Sequence, residues 1–395
     1  MDFTIDTTEL FGAVRAVSEV APSSSPIRAL RCIYLESDAD TGALTLYANS
    51  YAAAIACTLK AKIEMPGKIL IDAKFFLRLL ERLCRDKFRQ LRICEHRGNI
   101  LLTSGVCQFL VPQLSEGFPK PSFEMPEQTM AISSKQIVDL VGKCGFAAAS
   151  DQTANERLKS VFLTIEQNNL TMTASDGQVL ARAMGQTDSN YSASALVPAA
   201  QLRQFAAIAQ HYDMFRVGVT ERSIIFARSN MLVSITRMPG QYMDTGAMLD
   251  MPISYKAEVD AVSLRNLMES AAIGSLGKAF RLGISTDSFI VEGTSADNRV
   301  QGSIPASNAI PSCGAIYALP AGPLTALRNM RGTITVSLTK KGHLFIRCDD
   351  MVFFQVASHA PVIQRKPKET PAKPEAAKKQ KTSKPKSKKK KEVAA

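Results

Sequence analysis

The chain has 395 residues, 46% of them hydrophobic and 21% charged, which at this length fits two or three ordinary globular domains. No run approaches the roughly 20 uninterrupted apolar residues of a membrane-spanning helix, which excludes a helical membrane protein. The formal charge of +12 is concentrated: residues 365–395 hold 13 Lys or Arg against 3 Glu, and the preceding 364 residues hold 35 basic and 33 acidic side chains. A nucleic-acid surface on the body must therefore come from where its charges sit, because their sum is small.

Met1-Asp2-Phe3-Thr4-Ile5-Asp6 is alternating and acidic, so it reads as a strand and not as a signal peptide. A helix follows over Thr8 to Val20, with Leu10, Phe11, Val14 and Val17 at helical spacing and Thr7 or Thr8 as its cap. A strand at Leu44–Ser50, a connecting strand into a second helix around Lys74, and a strand pair over Leu91–Leu102 complete the first unit. Proline-rich residues from Phe118 to Pro126 close it. The plan then repeats. Met130–Ser133 opens the second unit, and Ser133 or Ser134 caps a helix carrying Ile137, Leu140 and Val141. Leu170–Asp176, Val197–Leu202 and a pair over Phe215–Phe226 follow, closed by Pro239 to Pro252. The third unit has Tyr255–Val259, a helix over Ser263–Ile273, Phe289–Ser295, Leu319–Leu324 and a pair over Thr335–Ile346.

Three phrases therefore recur in one order. Leu44, Leu170 and Phe289 begin the first, Ile71, Val197 and Leu319 the second, and Leu91, Phe215 and Thr335 the third. The offsets are 126, 126 and 124 for one step and 119, 122 and 120 for the next. Copies this long are domains and not solenoid repeats, which recur every 20 to 50 residues. The expected fold class is α+β, with three tandem domains over 1–121, 122–250 and 251–364, each with two helices packed on antiparallel sheets. Residues 365–395, rich in Lys, Pro and Ala, are expected to form a disordered basic tail.

The chemistry-bearing residues are sparse. Eight cysteines (Cys32, Cys57, Cys84, Cys94, Cys107, Cys144, Cys313 and Cys348) show no C-x-x-C pair and read as buried free thiols in a reducing compartment. The four histidines lack ligand spacing, so no metal and no cofactor is expected. No phosphate-cradling glycine loop, nucleophile triad or carboxylate pair points to an enzyme. On the second helix Lys74, Arg78, Arg82 and Arg85 fall within about 80° of arc, with Phe76, Leu79, Leu80 and Leu83 opposite. Glu81 is the one acid near that stripe, so i,i+4 pairing does not account for it. Arg15, Lys143, Arg203, Arg265, Arg328 and Arg331 extend a positive lining more thinly over the other helices, a pattern suited to holding phosphates without reading bases.

The segment Leu170-Thr171-Met172-Thr173-Ala174-Ser175-Asp176-Gly177-Gln178-Val179-Leu180 is the most specific motif. With Phe146–Asp151 and Glu156-Arg157-Leu158 before it, it resembles the middle domain of the bacterial DNA polymerase III beta subunit, the sliding-clamp family. Pro66-Gly67-Lys68 before Lys74-Phe75-Phe76, Ser104-Gly105, Phe109 and Gly117-Phe118-Pro119 extend the resemblance into the first domain, and it covers residues 1–364.

That resemblance implies a non-catalytic, cytoplasmic and nucleoid-associated homodimer: a head-to-tail ring around double-stranded DNA with helices lining the hole. It also implies the replicative polymerase catalytic subunit, an ATP-driven clamp loader and other proteins bearing clamp-binding peptides as partners, and no membrane. The implied peptide pocket comprises Leu158, Ser175, Gly177, Gln178, Val179, Leu180, Met243, Ala247, Met248, Phe280, Leu344, Ile346, Ser358, His359, Ala360, Pro361 and Val362. Leu158 and Leu180, and more so Leu344 and Ile346, can also be read as domain-packing core. The family commonly has His-Arg at Gln178-Val179 and Arg at Ala247, so a less polar pocket is expected here. Phe109 and Ile273 match the ring contact, and Gly274 replaces a larger apolar residue, so a weaker dimer is expected. A DNA-facing arginine of the family is Ser24 here, with Arg28 or Arg31 as its substitute. The alternative function is a non-ring scaffold of the same shape that binds DNA mainly through its basic tail.

Overall fold

The computed structural model describes residues 1–360 except 87, 115, 151 and 313–315. The first copy runs β1 (Asp2–Asp6), α1 (Thr7–Val20), β2 (Cys32–Asp38), β3 (Ala43–Asn49), β4 (Ala53–Lys60), β5 (Lys62–Met65) and β6 (Gly67–Asp72). It continues with α2 (Ala73–Arg85), β7 (Gln90–His96), β8 (Asn99–Ser104) and β9 (Cys107–Pro112). The second has β10 (Met130–Ser133), α3 (Ser134–Cys144), β11 (Ser160–Glu166), β12 (Asn169–Ser175), β13 (Val179–Gln186) and β14 (Ala193–Pro198). Then come α4 (Ala199–Ala209), β15 (Met214–Val219), β16 (Ser223–Arg228), β17 (Met231–Thr236) and a short α5 (Gly246–Leu249) in the join. The third has β18 (Tyr255–Asp260), α6 (Ala261–Gly274), β19 (Phe280–Ile284), β20 (Ser288–Thr294), β21 (Arg299–Pro305), β22 (Ser307–Ile310) and β23 (Ile316–Ala318). It closes with α7 (Ala321–Arg328), β24 (Thr333–Leu338), β25 (Leu344–Cys348) and β26 (Met351–Gln355).

Local chemistry sets the helix starts. Asp6 caps α1, its Oδ1 accepting the N–H groups of Thr8 at 2.8 Å and Glu9 at 3.0 Å, which corrects the expected Thr7 or Thr8 cap. Asp72 and Asp260 cap α2 and α6 in the same way. A short carboxylate both satisfies an orphan N–H and favours the positive end of the helix. At α3, Ser133 occupies the cap position without a side-chain bond.

Beyond the recurring phrases each half-copy ends in a further hairpin strand, and four of these six, β4, β13, β17 and β26, join the copies. The sheet ordered β10-β15-β16-β17-β4-β3-β2-β6 crosses from the second copy into the first, where β17 pairs with β4. The sheet β14-β11-β12-β13-β26-β25-β24-β18-β22 crosses from the second into the third, where β13 pairs with β26. The two remaining sheets, β5-β1-β7-β8-β9 and β21-β20-β19-β23, leave β9 and β21 as unpaired edges. Helices pack in pairs, α1 on α2, α3 on α4 and α6 on α7, and α1 also meets α4 across the first junction. A continuous apolar core runs through all three copies.

Candidate peptide pocket and nucleic-acid face

The β12–β13 turn is held by its own side chains. Ser175 Oγ donates to the Val179 carbonyl at 2.7 Å and accepts from Gly177 N at 3.1 Å, while Asp176 Oδ1 accepts from Gln178 N and Val179 N, both at 2.8 Å. Gly177 has φ +92°, a conformation glycine adopts without Cβ strain. Asp176 is thus a turn-forming carboxylate, and Ser175 is fully buried. The turn directs β13 against β26, with Leu180 opposite Phe354 and Val356 N donating to Gln178 O at 2.8 Å.

Leu180, Phe345 and Phe354 form a separate apolar cluster, covered by Met248, Leu249 and Met251 of the joining segment and by Val352 and Val356. Two arginines strap that segment down. Arg347 Nη2 donates to Leu249 O at 3.0 Å with its guanidinium over the Phe345 ring, and Arg182 Nη2 donates to Thr245 Oγ1 at 2.7 Å. Burial pushes both guanidinium pKa values down, with Asp250 acting against the shift.

Leu158 and Met243 share a concavity of about 290 Å³ with Arg157 and Tyr242. Tyr242 stacks on Phe162, and burial pushes its hydroxyl up to about 12. A second concavity of about 440 Å³ is lined by Met251, Pro252, Lys340, Lys341 and His343. Met251 belongs both to it and to the cluster. Gln178 and Ala247 are exposed, Val179, Met248 and Ser358 half-buried, and His359 and Ala360 exposed. Pro361 and Val362 lie outside the described residues.

Three expected pocket residues sit elsewhere. Leu344 and Ile346 belong to the main core, while Phe345 between them joins the Leu180 cluster. Successive side chains of a strand point to opposite faces, so Leu344 and Ile346 share one face of β25 and Phe345 takes the other. Phe280 is fully buried on β19 in a different sheet. Tyr242, Met251 and His343 line the two concavities and Phe345 the buried cluster, and none of the four is among the expected residues. Residues 344–346 are all apolar, which removes the period-2 contrast that could have revealed Phe345.

On α2, Lys74, Arg78, Arg82 and Arg85 are all exposed. Two of them are ion-paired at i,i+4, contrary to expectation: Arg82 Nε lies 3.0 Å from Asp86 and Arg85 Nη2 2.6 Å from Glu81. Asp86, the partner of Arg82, stands at the C-cap of α2. Lys74 Nζ donates to Ser23 O at 3.2 Å. Arg28, Arg203 and Arg328 are exposed, with Arg203 Nη1 donating to Gly145 O, and Arg265 is half-buried. Lys143 is a correction: it is 6% exposed, and its ammonium sits between Asp139 and Asp350, each at 2.6 Å. It holds two domains together and has no surface to offer a phosphate.

At the ends of the chain's fold, Phe109 on β9 is half-buried and Ile273 on α6 is 75% exposed. Val106 beside β9 is 93% exposed and Leu276 beyond α6 is 68% exposed. Seven described cysteines are free; Cys32, Cys57 and Cys144 are buried, and the other four half-buried. Among the described residues no group of three metal-ligating side chains gathers, and no helix is long and apolar enough to cross a membrane.

Residues 1–120 match the family model of the DNA polymerase III beta subunit, N-terminal domain. The beta sliding clamp of Chlamydia trachomatis is 22% identical over 277 residues, covering 69% of this chain and 65% of that protein, just under two thirds of its length. Two crystal structures superpose over 91% of this chain and 100% of theirs. A putative DNA polymerase III beta subunit from Eubacterium rectale does so at TM-score 0.84 and 18% identity, and the DNA polymerase sliding clamp of Bacillus subtilis at 0.82 and 20%.

Proposed function

The chain belongs to the DNA polymerase III beta subunit family as a divergent member, and from that premise we propose that it is a non-catalytic DNA polymerase processivity factor. In this reading two copies close head to tail into a ring around double-stranded DNA. The ring is opened by a clamp loader in the cytoplasm and tethers the replicative polymerase and other peptide-bearing partners at the Leu158–Met243–Met248 surface.

One observation carries the ring. Both internal junctions use the same strand pair, β17 on β4 and β26 on β13, in the same register. Met231 and Met351 open their strands after equivalent two-residue turns, and face Cys57 and Ala183, each the fourth residue from the start of its hairpin pairing. Cys107 of β9 is the equivalent of Met231, and Gly302 of β21 is the equivalent of Cys57. The same rule applied to the two free edges pairs Cys107 with Gly302 of the partner subunit, Gln108 with the partner's Gln301 and Phe109 with the partner's Val300. Burial supports that register. Half-buried Cys107, Phe109 and Val111 alternate with exposed residues on β9, and half-buried Val300, Gly302 and Ile304 alternate likewise on β21. Each half-buried position meets a half-buried one. The exposed Val106, Ile273 and Leu276 then find cover, as exposed apolar patches at an association surface do.

Sedimentation tests this reading. A dimer that Phe109→Asp and Ile273→Asp convert to monomer is the expected result. A wild-type chain that remains monomeric at tens of micromolar overturns it.

A further inference from the structure

At the second junction the turn between β24 and β25 faces the joining segment across a concavity of about 440 Å³, bordered by Met251, Pro252, Thr339, Lys340, Lys341 and His343. None of these belongs to the expected peptide pocket. The turn is fixed by its own bonds. Thr339 Oγ1 accepts from His343 N at 3.1 Å, Gly342 N donates to Thr339 O at 2.9 Å, and Gly342 takes φ +83°. Lys340 and Lys341 are exposed on it, and neither has a carboxylate within ion-pair distance among the described residues. His343 Nδ1 accepts from Ala357 N at 2.9 Å. Burial, and then the Lys341 charge, hold the ring below its ordinary pKa. The neutral ring therefore carries its proton on Nε2, which has no partner among the described residues.

The first junction is built alike and charged oppositely. Met125, Pro126 and Thr220 border its concavity, of about 570 Å³, as Met251, Pro252 and Thr339 border this one. Each threonine directly follows a strand end, of β15 or of β24, and its hydroxyl accepts from a backbone N–H across the turn. There the charges are Glu124, Glu127 and Glu221 against Arg237, and Glu221 stands where Lys340 stands here. The scaffold accepts either sign, so the lysine pair is no requirement of the turn. The second concavity also adjoins the Leu180 cluster: Met251 packs on it, and the His343 ring lies 5.8 Å from that of Phe354.

An apolar wall with cations at its rim fits an apolar side chain flanked by carboxylates. The chain's own tail has the wrong sign, with 13 Lys or Arg against 3 Glu over residues 365–395. Backbone phosphates would leave the apolar wall unused. We propose that this concavity docks an acidic segment of a partner protein, its apolar side chain resting on Met251 and Pro252 and its carboxylates meeting Lys340, Lys341 and the His343 Nε2–H. That this partner also carries a clamp-binding peptide, lying alongside on the Leu158–Met243–Met248 surface, rests on the processivity-factor reading; the site itself does not.

The test titrates the full chain, labelled at its methionine methyls, with the end-blocked peptide Asp-Asp-Leu-Asp-Asp and follows the Met251 resonance by NMR. The control peptides are Lys-Lys-Leu-Lys-Lys and Asp-Asp-Ser-Asp-Asp. The variant carries Lys340→Glu with Lys341→Glu, a change of sign that Glu221 shows the turn to accept. It keeps the tail, so any attraction of the peptide to the tail is common to both proteins. The acidic leucine peptide is expected to shift Met251 in wild type and to bind the variant about tenfold more weakly. The serine peptide is expected to bind more weakly than the leucine one, and the lysine peptide to prefer the variant. An unmoved Met251, an equal response to both peptide signs or an unchanged affinity in the variant overturns the proposal. Duplex binding that falls in the variant while peptide affinity does not puts the lysines on DNA and overturns it too. A chain that sediments only as monomer yet binds the acidic peptide keeps the site and loses the clamp-binding partner. A dimer that ignores the peptide keeps the clamp reading and loses the site.

Discussion

Lys143 Nζ lies 2.6 Å from Asp350 Oδ2, joining α3 of the second copy to the β25–β26 turn of the third across 207 residues of sequence. The ammonium is almost wholly covered, while both its carboxylate partners, Asp139 and Asp350, stay about half exposed. Burial alone would lower the Lys143 pKa, but the two carboxylates outweigh it and the net shift is upward. For Asp350, burial acts upward and the Lys143 hydrogen bond overrides it, so the carboxyl ends below its ordinary value.

Those directions give a stability window. A raised lysine contributes below its unfolded value of about 10.4 and loses that contribution as pH rises through the folded value. A depressed aspartate contributes above about 3.9 and loses it as pH falls through the folded value. The junction should be firmest between about pH 4 and 10. Lys143→Met is expected to cost about 1–3 kcal/mol in urea melts at pH 7, less than a fully buried pair because the exposed carboxylates rehydrate. The loss should shrink below pH 4. A pH-independent loss would mean that the effect is packing alone.

The α2 stripe divides into two kinds of cation. Lys74 and Arg78 have no carboxylate within ion-pair distance among the described residues, whereas Arg82 and Arg85 are neutralised by Asp86 and Glu81. Alanine at Lys74 or Arg78 is expected to lower the salt slope of DNA binding by up to about 0.9 each, and alanine at Arg82 or Arg85 by less. Equal effects from all four would show that the intrahelical pairs open in the complex.

The pocket separates into surface and core. Leu158→Ala, Met243→Ala and Met248→Ala are each expected to weaken binding of an apolar clamp-binding peptide by about 1–2 kcal/mol with little change in melting. Leu344→Ala and Ile346→Ala are expected to destabilise the fold by about 2–5 kcal/mol, with peptide affinity unchanged once folded. Calorimetry on the purified variants checks both. A reversed ranking would put the peptide on the other face of β25.

Removing residues 366–395 takes away most of a net +10 segment. Low-salt duplex affinity should drop markedly while dimerisation and peptide binding stay constant. If all DNA association vanishes with the tail, the non-ring scaffold reading gains over the clamp.

Much of this fold is legible in the chain because each copy repeats its own hydrophobic alternation and turn chemistry, as in Ser175-Asp176-Gly177. The joining strands are less legible. β17, β4, β26 and β13 each form a hairpin with a strand of their own copy, but the partner on their other edge lies in a different copy, so no feature within one repeat announces the junction. Lys143 illustrates the same limit. Its helix position suggests exposure, and only the fold brings Asp350 to it.

The ring is tested most directly by locking it shut on DNA. Gln108→Cys with Gln301→Cys sets the two free edges within disulfide reach if they pair in the register of the internal junctions. The variant is oxidised in the presence of nicked circular plasmid and then washed in high salt. The expected result is covalent dimers that stay with the circle through the wash and come off when it is linearised, while a Gln108→Cys, Val300→Cys control, pointing to opposite faces, neither cross-links nor stays. Cross-linked dimers that high salt strips from the intact circle would contradict the encircling ring.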